Sequence, residues 1–117
     1  QDAAEAAIND ILERSTVPDV TTTVKKLAGT RPMEKTAASG DLVDAAVAIA
    51  AELGFDLADA ETGGGSDANT TAAVGVPSLD GLGPVGGNDH TPLEYIEQSS
   101  IVPRTTLLAA LLLSVGG

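Results

Sequence analysis

The pattern of apolar and polar residues predicts a helix at the start of the chain. Ala4, Ile8, Ile11 and Leu12 recur at helical spacing, while the acidic residues fall elsewhere around the helix. Pro18 closes this segment. Neither an initiator Met nor a clear N-cap precedes it, as expected of a truncated chain, or of one from which a tag or another segment had been removed.

Helical spacing also predicts three later helices. Residues 41–53 place their apolar side chains on one side, and Gly54 stands where a helix-ending glycine belongs. A short helix follows the triple glycine of residues 63–65 and runs to Val74. A long apolar helix covers residues 100–115, with Pro103 tolerated in its first turn.

Three other stretches are typical of β-strands. Residues 20–27 alternate apolar and polar side chains and are rich in β-branched residues, and Lys25 and Lys26 suit the edge of a sheet. Residues 55–60 and 77–82 are two further predicted strands. Because helices and strands alternate along the chain, the sequence predicts an α/β fold.

Composition and charge narrow the possible partners. The net charge of −11, from 17 acidic and 6 basic residues, argues against a nucleic acid partner, since binding phosphates requires a positive field. Phe55 and Tyr95 are the only aromatic residues, so any core is built from Ala, Val, Leu and Ile. A compact chain of this size is expected to bury about two-thirds of its unfolded surface.

Cysteine usage and hydropathy bear on the location of the protein. The chain has no cysteine, which is compatible with a reducing compartment, and we expect a cytoplasmic protein. Its longest apolar run, Leu107–Val115, is too short to cross a bilayer. We therefore expect no association with a membrane.

Two glycine-rich turns flank the predicted short helix. Residues 63–65 are a triple glycine that leads into the helix, and residues 81–87 lead toward His90, the single histidine. Glycine lets a backbone approach a ligand closely, so the two turns suggest a bound small molecule or ion. The amide groups of residues 65–69, free at a helix N-terminus, favour an anion such as a substrate carboxylate.

Each candidate also has a plainer interpretation. The first glycine-rich turn can be a tight connection that binds no ligand. Gly63, Gly65 and Ala68 also match the glycine pattern of a dinucleotide-binding fold, but the predicted helix after them is too short for that fold. A single histidine such as His90 is usually a surface residue, because zinc requires three or four protein ligands. Arg31 can be a surface cation, although a guanidinium is also well suited to grip a carboxylate.

Three segments, taken together, resemble the di-zinc metallopeptidases of the aminoacylase and glutamate carboxypeptidase type. Residues 28–32 (Ala-Gly-Thr-Arg-Pro) resemble the strand end where that family carries an arginine, here Arg31, that binds the substrate carboxylate. Residues 63–68 resemble its glycine-rich turn beneath the substrate. In this turn the resemblance implies three substrate-binding residues: Gly64, Gly65 and Ser66.

The third segment concerns the metal. Residues 83–95 resemble the segment whose histidine, here His90, is the C-terminal zinc ligand of that family. Asp89 departs from the small residue expected before this histidine. By implication, residues 1–32 are the last helix and strand of a lid or dimerisation domain. Residues 33–117 are then the C-terminal part of a three-layer, zinc-exopeptidase-like catalytic domain.

The resemblance implies a zinc-dependent hydrolase of a small peptide-like or N-acyl amino acid substrate. In the full enzyme two zinc ions activate a water that attacks an amide, and a glutamate is the general base. The segments that supply these groups are absent from the 117 residues, so we expect no complete metal site, no catalytic residue and no activity in this chain alone. We also expect it to self-associate as a homo-oligomer. The alternative from another class is a non-enzymatic module for anion binding or oligomerisation.

Overall fold

The computed structural model describes residues 1–14, 17–27 and 29–116. Within them lie four helices and one antiparallel pair of short strands: α1 (Asp2–Glu13), α2 (Ala37–Glu52), α3 (Ala68–Ala73), β1 (Gly86–Gly87), β2 (Tyr95–Ile96) and α4 (Gln98–Val115). This mixed content agrees with the predicted α/β class. The division into a lid segment and a three-layer catalytic domain stays a prediction.

The buried core lies where α2 packs against α4. Ala46 and Ala50 of α2 are buried together with Leu107 and Leu111 of α4. Alanines on one helix leave room for the leucines of the other, so the two helices approach closely. Partly buried side chains from α2 and from two segments without regular structure, residues 55–57 and 79–82, surround this cluster: Ala45, Ile49, Phe55, Leu57, Leu79 and Leu82.

The helices agree with the predicted ones apart from their ends. The Thr36 side chain accepts a hydrogen bond from the amide of Ser39 at 3.1 Å, and this cap starts α2 four residues before the predicted start. Gly54 adopts a φ of 85° just beyond the helix, as predicted for a helix-ending glycine. Because α4 begins at Gln98, Pro103 lies in its second turn and not in its first.

The three predicted strands are wrong. Residues 20–27, 55–60 and 77–82 have no regular secondary structure, and none of them pairs with another strand within the described part of the chain. A strand forms only when a neighbouring strand takes up its backbone N–H and C=O groups. Leu57 and Leu79 nevertheless lie against the core, as the side chains of strands in a larger sheet would.

A short hairpin, which the sequence did not predict, follows the second glycine-rich turn. Gly86 pairs with Ile96 and Gly87 pairs with Tyr95. A Cβ atom on Gly86 would lie 2.4 Å from the carbonyl oxygen of Tyr95, which no side chain can tolerate. Gly86 is therefore required by the hairpin itself, whether or not a ligand binds nearby.

The molecule is elongated and much of it is exposed. Its radius of gyration is 19.8 Å, whereas a compact chain of this length has about 13 Å. Its accessible surface is 9169 Å², against about 5,800 Å² for a compact protein of this mass and about 17,000 Å² for the unfolded chain. The expectation that two-thirds of the surface is buried is therefore wrong, because less than half is.

Helix α4 is 18 residues long and contains the predicted apolar run, Leu107–Val115. Within the described residues it is the one helix that is long and apolar enough to cross a membrane, by length and composition only. The absence of membrane association stays a prediction. A mostly buried core helix of a soluble protein passes the same test, whereas 11% of this helix is buried, with Leu107 and Leu111 packed against α2.

Candidate functional site

A cavity of about 1150 Å³ lies beside the core, and both predicted substrate-binding segments line it. Its walls are residues 30–35, residues 57–65 and residues 78–82, together with part of α2 and with Gln1, Asn69 and Arg104. Residues 57–65 and 78–82 reach the cavity because Leu57, Leu79 and Leu82 pack against the α2–α4 core. The core therefore positions the walls of the site.

The structure brings three of the five sequence-predicted site residues to this cavity. Arg31, Gly64 and Gly65 line it, whereas Ser66 lies just beyond the lining in the same turn. His90 is not among the lining residues. Ala28, the first residue of the predicted arginine segment, lies outside the described residues.

Asn69, which the sequence analysis did not select, joins the arginine segment to the glycine turn. Its side-chain nitrogen Nδ2 donates to the carbonyl oxygen of Arg31 at 2.9 Å. Its oxygen Oδ1 accepts from the amide of Ser66 at 2.8 Å. Only 9% of Asn69 is exposed, and a buried carboxamide with both ends bonded holds two segments in a fixed relation.

The prediction of free amide groups over residues 65–69 is wrong for three of them. The amide of Ser66 donates to Asn69, that of Ala68 donates to the Ser66 hydroxyl at 3.1 Å, and that of Asn69 donates to the carbonyl of Ser66 at 3.1 Å. Short polar side chains compete for local backbone groups, and here they have taken the donors. The start of α3 is therefore a closed turn and not an open row of donors for an anion.

The triple glycine has no internal reason to be glycine. A Cβ on Gly63 would meet no atom within 4 Å, one on Gly64 would meet only the Thr62 hydroxyl at 3.9 Å, and one on Gly65 would meet nothing closer than 4.0 Å. Unlike Gly54, none of the three has a positive φ. Their missing side chains leave open space at the cavity wall, which suits the close approach of a ligand.

The Arg31 side chain is available to a ligand. Its guanidinium is 71% exposed and lies 3.8 Å from a carboxylate oxygen of Asp2, which is itself 80% exposed. Such a surface ion pair is weak, so a substrate carboxylate can displace it. The backbone carbonyl of this residue is held by Asn69, while its charged end is exposed.

An ion pair crosses between two walls of the cavity. The Lys35 ammonium donates to a carboxylate oxygen of Asp59 at 2.7 Å. This hydrogen bond, with the attraction between the charges, lowers the pKa of Asp59 and raises the pKa of Lys35. Both groups therefore stay ionised through the neutral range and neutralise each other.

Arg104 was also missed, because the helix that carries it reads as apolar. Its Nε donates to the carbonyl of Gly83 at 2.8 Å, and an Nη2 hydrogen bond reaches the carbonyl of Gly81. It thus ties the second glycine-rich turn to α4. A lone cation within an apolar helix pattern is the signal that could have found it.

His90 lies in the turn of the hairpin, exposed and with a φ of 63°. Hydrogen bonds to the carbonyl of Asn88 from the amide and the hydroxyl of Thr91, at 3.2 and 2.8 Å, shape this turn. The described residues contain no group of three or more His, Cys, Asp or Glu side chains that could hold a metal. A single imidazole does not fit the three or four ligands that zinc requires.

The sequence matches Peptidase family M20/M25/M40 over residues 3–114. Carboxypeptidase G2 from Pseudomonas sp. (strain RS-16) is 34% identical over 118 aligned positions, which include 98% of this chain. The chain spans 28% of the length of that relative. No solved structure is similar enough to the chain to count as a match.

Proposed function

Because the chain belongs to peptidase family M20/M25/M40, we propose that it is the C-terminal segment of a zinc-dependent hydrolase of peptide or amide bonds. The substrates are small, carboxylate-bearing molecules of the peptide or N-acyl amino acid type. Carboxypeptidase G2 is named as a carboxypeptidase, which supports a substrate with a free carboxylate. The observation that carries the proposal is the cavity shared by Arg31 and an unobstructed glycine turn.

In this proposal Arg31 binds the substrate carboxylate. A planar guanidinium donates two parallel hydrogen bonds to a carboxylate, which fixes its orientation as well as its position. Gly64 and Gly65 form the floor beneath the substrate, since a side chain at either position would fill space in the cavity. Ser66 supports this floor through its hydrogen bond to Asn69.

The family implies a metal, and the described residues do not fit one by themselves. His90 is exposed and has no companion ligands in the described part of the chain, so no catalytic step is assigned to these residues. We propose that His90 is one zinc ligand of the full-length protein and that the remaining ligands come from outside this chain. The chain alone is then inactive. Its self-association stays a prediction.

Replacing the arginine tests the proposal in the full-length protein. Arg31→Ala should lower kcat/KM for substrates with a free carboxylate by about 2 to 4 kcal/mol of transition-state binding, the scale for losing one partner of a desolvated charge pair. Arg31→Lys should restore only part of this, because a point charge cannot form two parallel bonds. Steady-state hydrolysis of a carboxylate substrate and of its carboxamide analogue measures both effects.

Arg14→Ala is the matched control. Arg14 is an exposed arginine paired with Asp10, and it does not line the cavity. Its removal should leave kcat/KM unchanged. Wild-type catalytic efficiency in Arg31→Ala would mean that the carboxylate binds elsewhere, and the assignment of the site would be wrong.

A further inference from the structure

The bridge made by Asn69 has a consequence for substrate recognition. We propose that Asn69 is a positioning residue that sets Arg31 at a fixed place relative to the glycine turn, and so determines how well a substrate carboxylate is bound. This inference rests on the proposed function of Arg31. It adds a residue at the cavity wall whose two polar side-chain atoms are already bonded to protein groups, so that it acts through Arg31.

The geometry singles out this side chain. Asn69 stands 38 positions along the chain from Arg31 and is the buried polar group that contacts both walls. One end of its carboxamide donates to the arginine segment and the other accepts from the glycine turn. Within the described residues no buried side-chain nitrogen or oxygen lacks a hydrogen-bond partner, so both bonds of Asn69 are in place.

The arginine segment depends on this bridge because little else holds it. Residues 29–36 have no regular secondary structure and are exposed. Among the described residues, the Arg31 side chain makes an exposed 3.8 Å pair with Asp2, and the next anchor is the ion pair of Lys35 with Asp59. Both are surface pairs, which contribute little to order, whereas the bond from Asn69 is partly buried and comes from a side chain that is only 9% exposed.

A displaced arginine should impair recognition more than bond cleavage. The two parallel hydrogen bonds of a guanidinium with a carboxylate require a defined orientation, so a shift of the arginine backbone weakens binding of that group. A substrate that lacks the carboxylate does not use the arginine. The expected signature is therefore a change in KM that is confined to carboxylate substrates.

Two substitutions remove the bridge in different ways. Asn69→Asp keeps an oxygen that accepts from the Ser66 amide, but it loses the donor to the Arg31 carbonyl. Asn69→Ala removes both bonds without adding a charge. Agreement between the two variants shows that the effect comes from the lost donor and not from a new negative charge beside Arg31.

Steady-state kinetics of the full-length protein is the test. Each variant should raise KM for a carboxylate substrate about tenfold, the scale of one lost hydrogen bond, with kcat changed less than about twofold. KM for the carboxamide analogue should stay unchanged. In the Arg31→Ala background, Asn69→Asp should cause no further loss, because residues that act together are not additive. Thr70→Ala, an exposed neighbour on α3, should match the wild type.

Equal losses on both substrates, or additive losses in the double variant, would overturn the proposal and leave Asn69 a general structural residue. Hydrogen exchange of the Ser66 amide gives a readout that does not need activity: exchange should be faster in Asn69→Ala, which removes its acceptor, and unchanged exchange would refute the bridge. A wild-type protein that hydrolyses neither substrate would disprove the proposed function, while the exchange result would still decide the role of Asn69.

Discussion

The first region, residues 1–14 and 17–27, and the second region, residues 29–116, both contain helices but are held in different ways. Helix α1 has no buried residue, and its described links to the rest of the chain include the exposed pairs of Glu5 with Lys26 and of Asp2 with Arg31. The second region is organised by the buried cluster between α2 and α4. Surface ion pairs contribute little, whereas apolar burial is the main source of stability.

The difference shows what an amphipathic pattern can establish. The apolar stripe of α1 is clear in the sequence, yet Ile8 and Ile11 are 54% and 67% exposed. The pattern of α2 is less clear, because alanines dominate it, and that helix carries the core. A stripe indicates that a face is suited to burial, but the covering surface must come from elsewhere.

The largest expected contrast between the regions comes from truncating one apolar side chain in each. Leu107→Ala should cost about 3 kcal/mol of unfolding free energy, because Leu107 is fully buried and its removal leaves a cavity between α2 and α4. Ile11→Ala should change stability by less than about 0.5 kcal/mol, since its side chain is mostly exposed. Urea unfolding followed by far-ultraviolet circular dichroism measures both.

Leu113→Ala is the control within α4, because Leu113 is 81% exposed, and it should behave like Ile11→Ala. An equal loss of stability in Leu107→Ala and Ile11→Ala would contradict the contrast. It would mean that α1 is buried in solution, against the rest of this chain or against a second copy.

The helix starts provide the second contrast. Thr36 caps α2 through its hydroxyl, whereas Gln1 makes no side-chain cap at the start of α1. Thr36→Ala should therefore destabilise the chain by about 1 kcal/mol, and Gln1→Ala by no more than a few tenths. Thermal unfolding of both variants tests this, with Thr36→Ser as the variant that keeps a capping hydroxyl. A neutral Thr36→Ala would show that packing alone sets the start of α2.

The smallest expected effect is a dependence on pH in the first region. Hydrogen bonds from Lys26 and then Gln1 lower the pKa of Glu5 below its ordinary value of 4.5. A carboxylate with a lowered pKa stabilises the folded state above the unfolded value, and this contribution is lost as the pH falls through the folded one. The attachment of α1 should thus weaken only below pH 4.5.

A nuclear magnetic resonance titration of the Glu5 carboxyl carbon measures this shift directly. Lys26→Gln should move the midpoint back toward the ordinary value, and so should high salt, because both groups are exposed to solvent. In the second region, a hydrogen bond from Lys35 lowers the pKa of Asp59, and Lys35→Gln should likewise move that pKa back up toward its ordinary value. If the titration midpoint of Glu5 does not change in Lys26→Gln, the ion pair between Glu5 and Lys26 does not form in solution.

Local signals predicted the helices and failed for the strands. Periodicity and the glycine at position 54 located α2, and the four helices lie where they were expected, with ends that differ by a few residues. Strands depend on partners that are distant in sequence or absent from it, so residues 55–60 and 77–82 could not be distinguished from paired strands. The hairpin was missed because its glycines were interpreted as a ligand turn.

The candidate site was predictable in its parts but not in its connections. Resemblance to a family pointed to Arg31 and to the triple glycine, and the structure places them on one cavity. Their roles as ligands of a substrate stay predictions. Asn69 was readable in principle: it follows Ser66 by three residues, the spacing at which a side chain reaches back to the amide at a helix start. Its bond to Arg31 spans 38 positions and could not be read from any local pattern.

The ring of Tyr95, close to Gly87 in the hairpin that carries His90, gives the molecule a local optical reporter. The chain has no Trp and a single Tyr, so its near-ultraviolet absorbance and emission originate almost entirely from this one ring. Those signals report changes in the environment of Tyr95 beside the histidine turn, and they do not report directly on the aliphatic cluster between α2 and α4. Spectroscopy therefore separates, without any label, local changes at the hairpin from the melting of the helices.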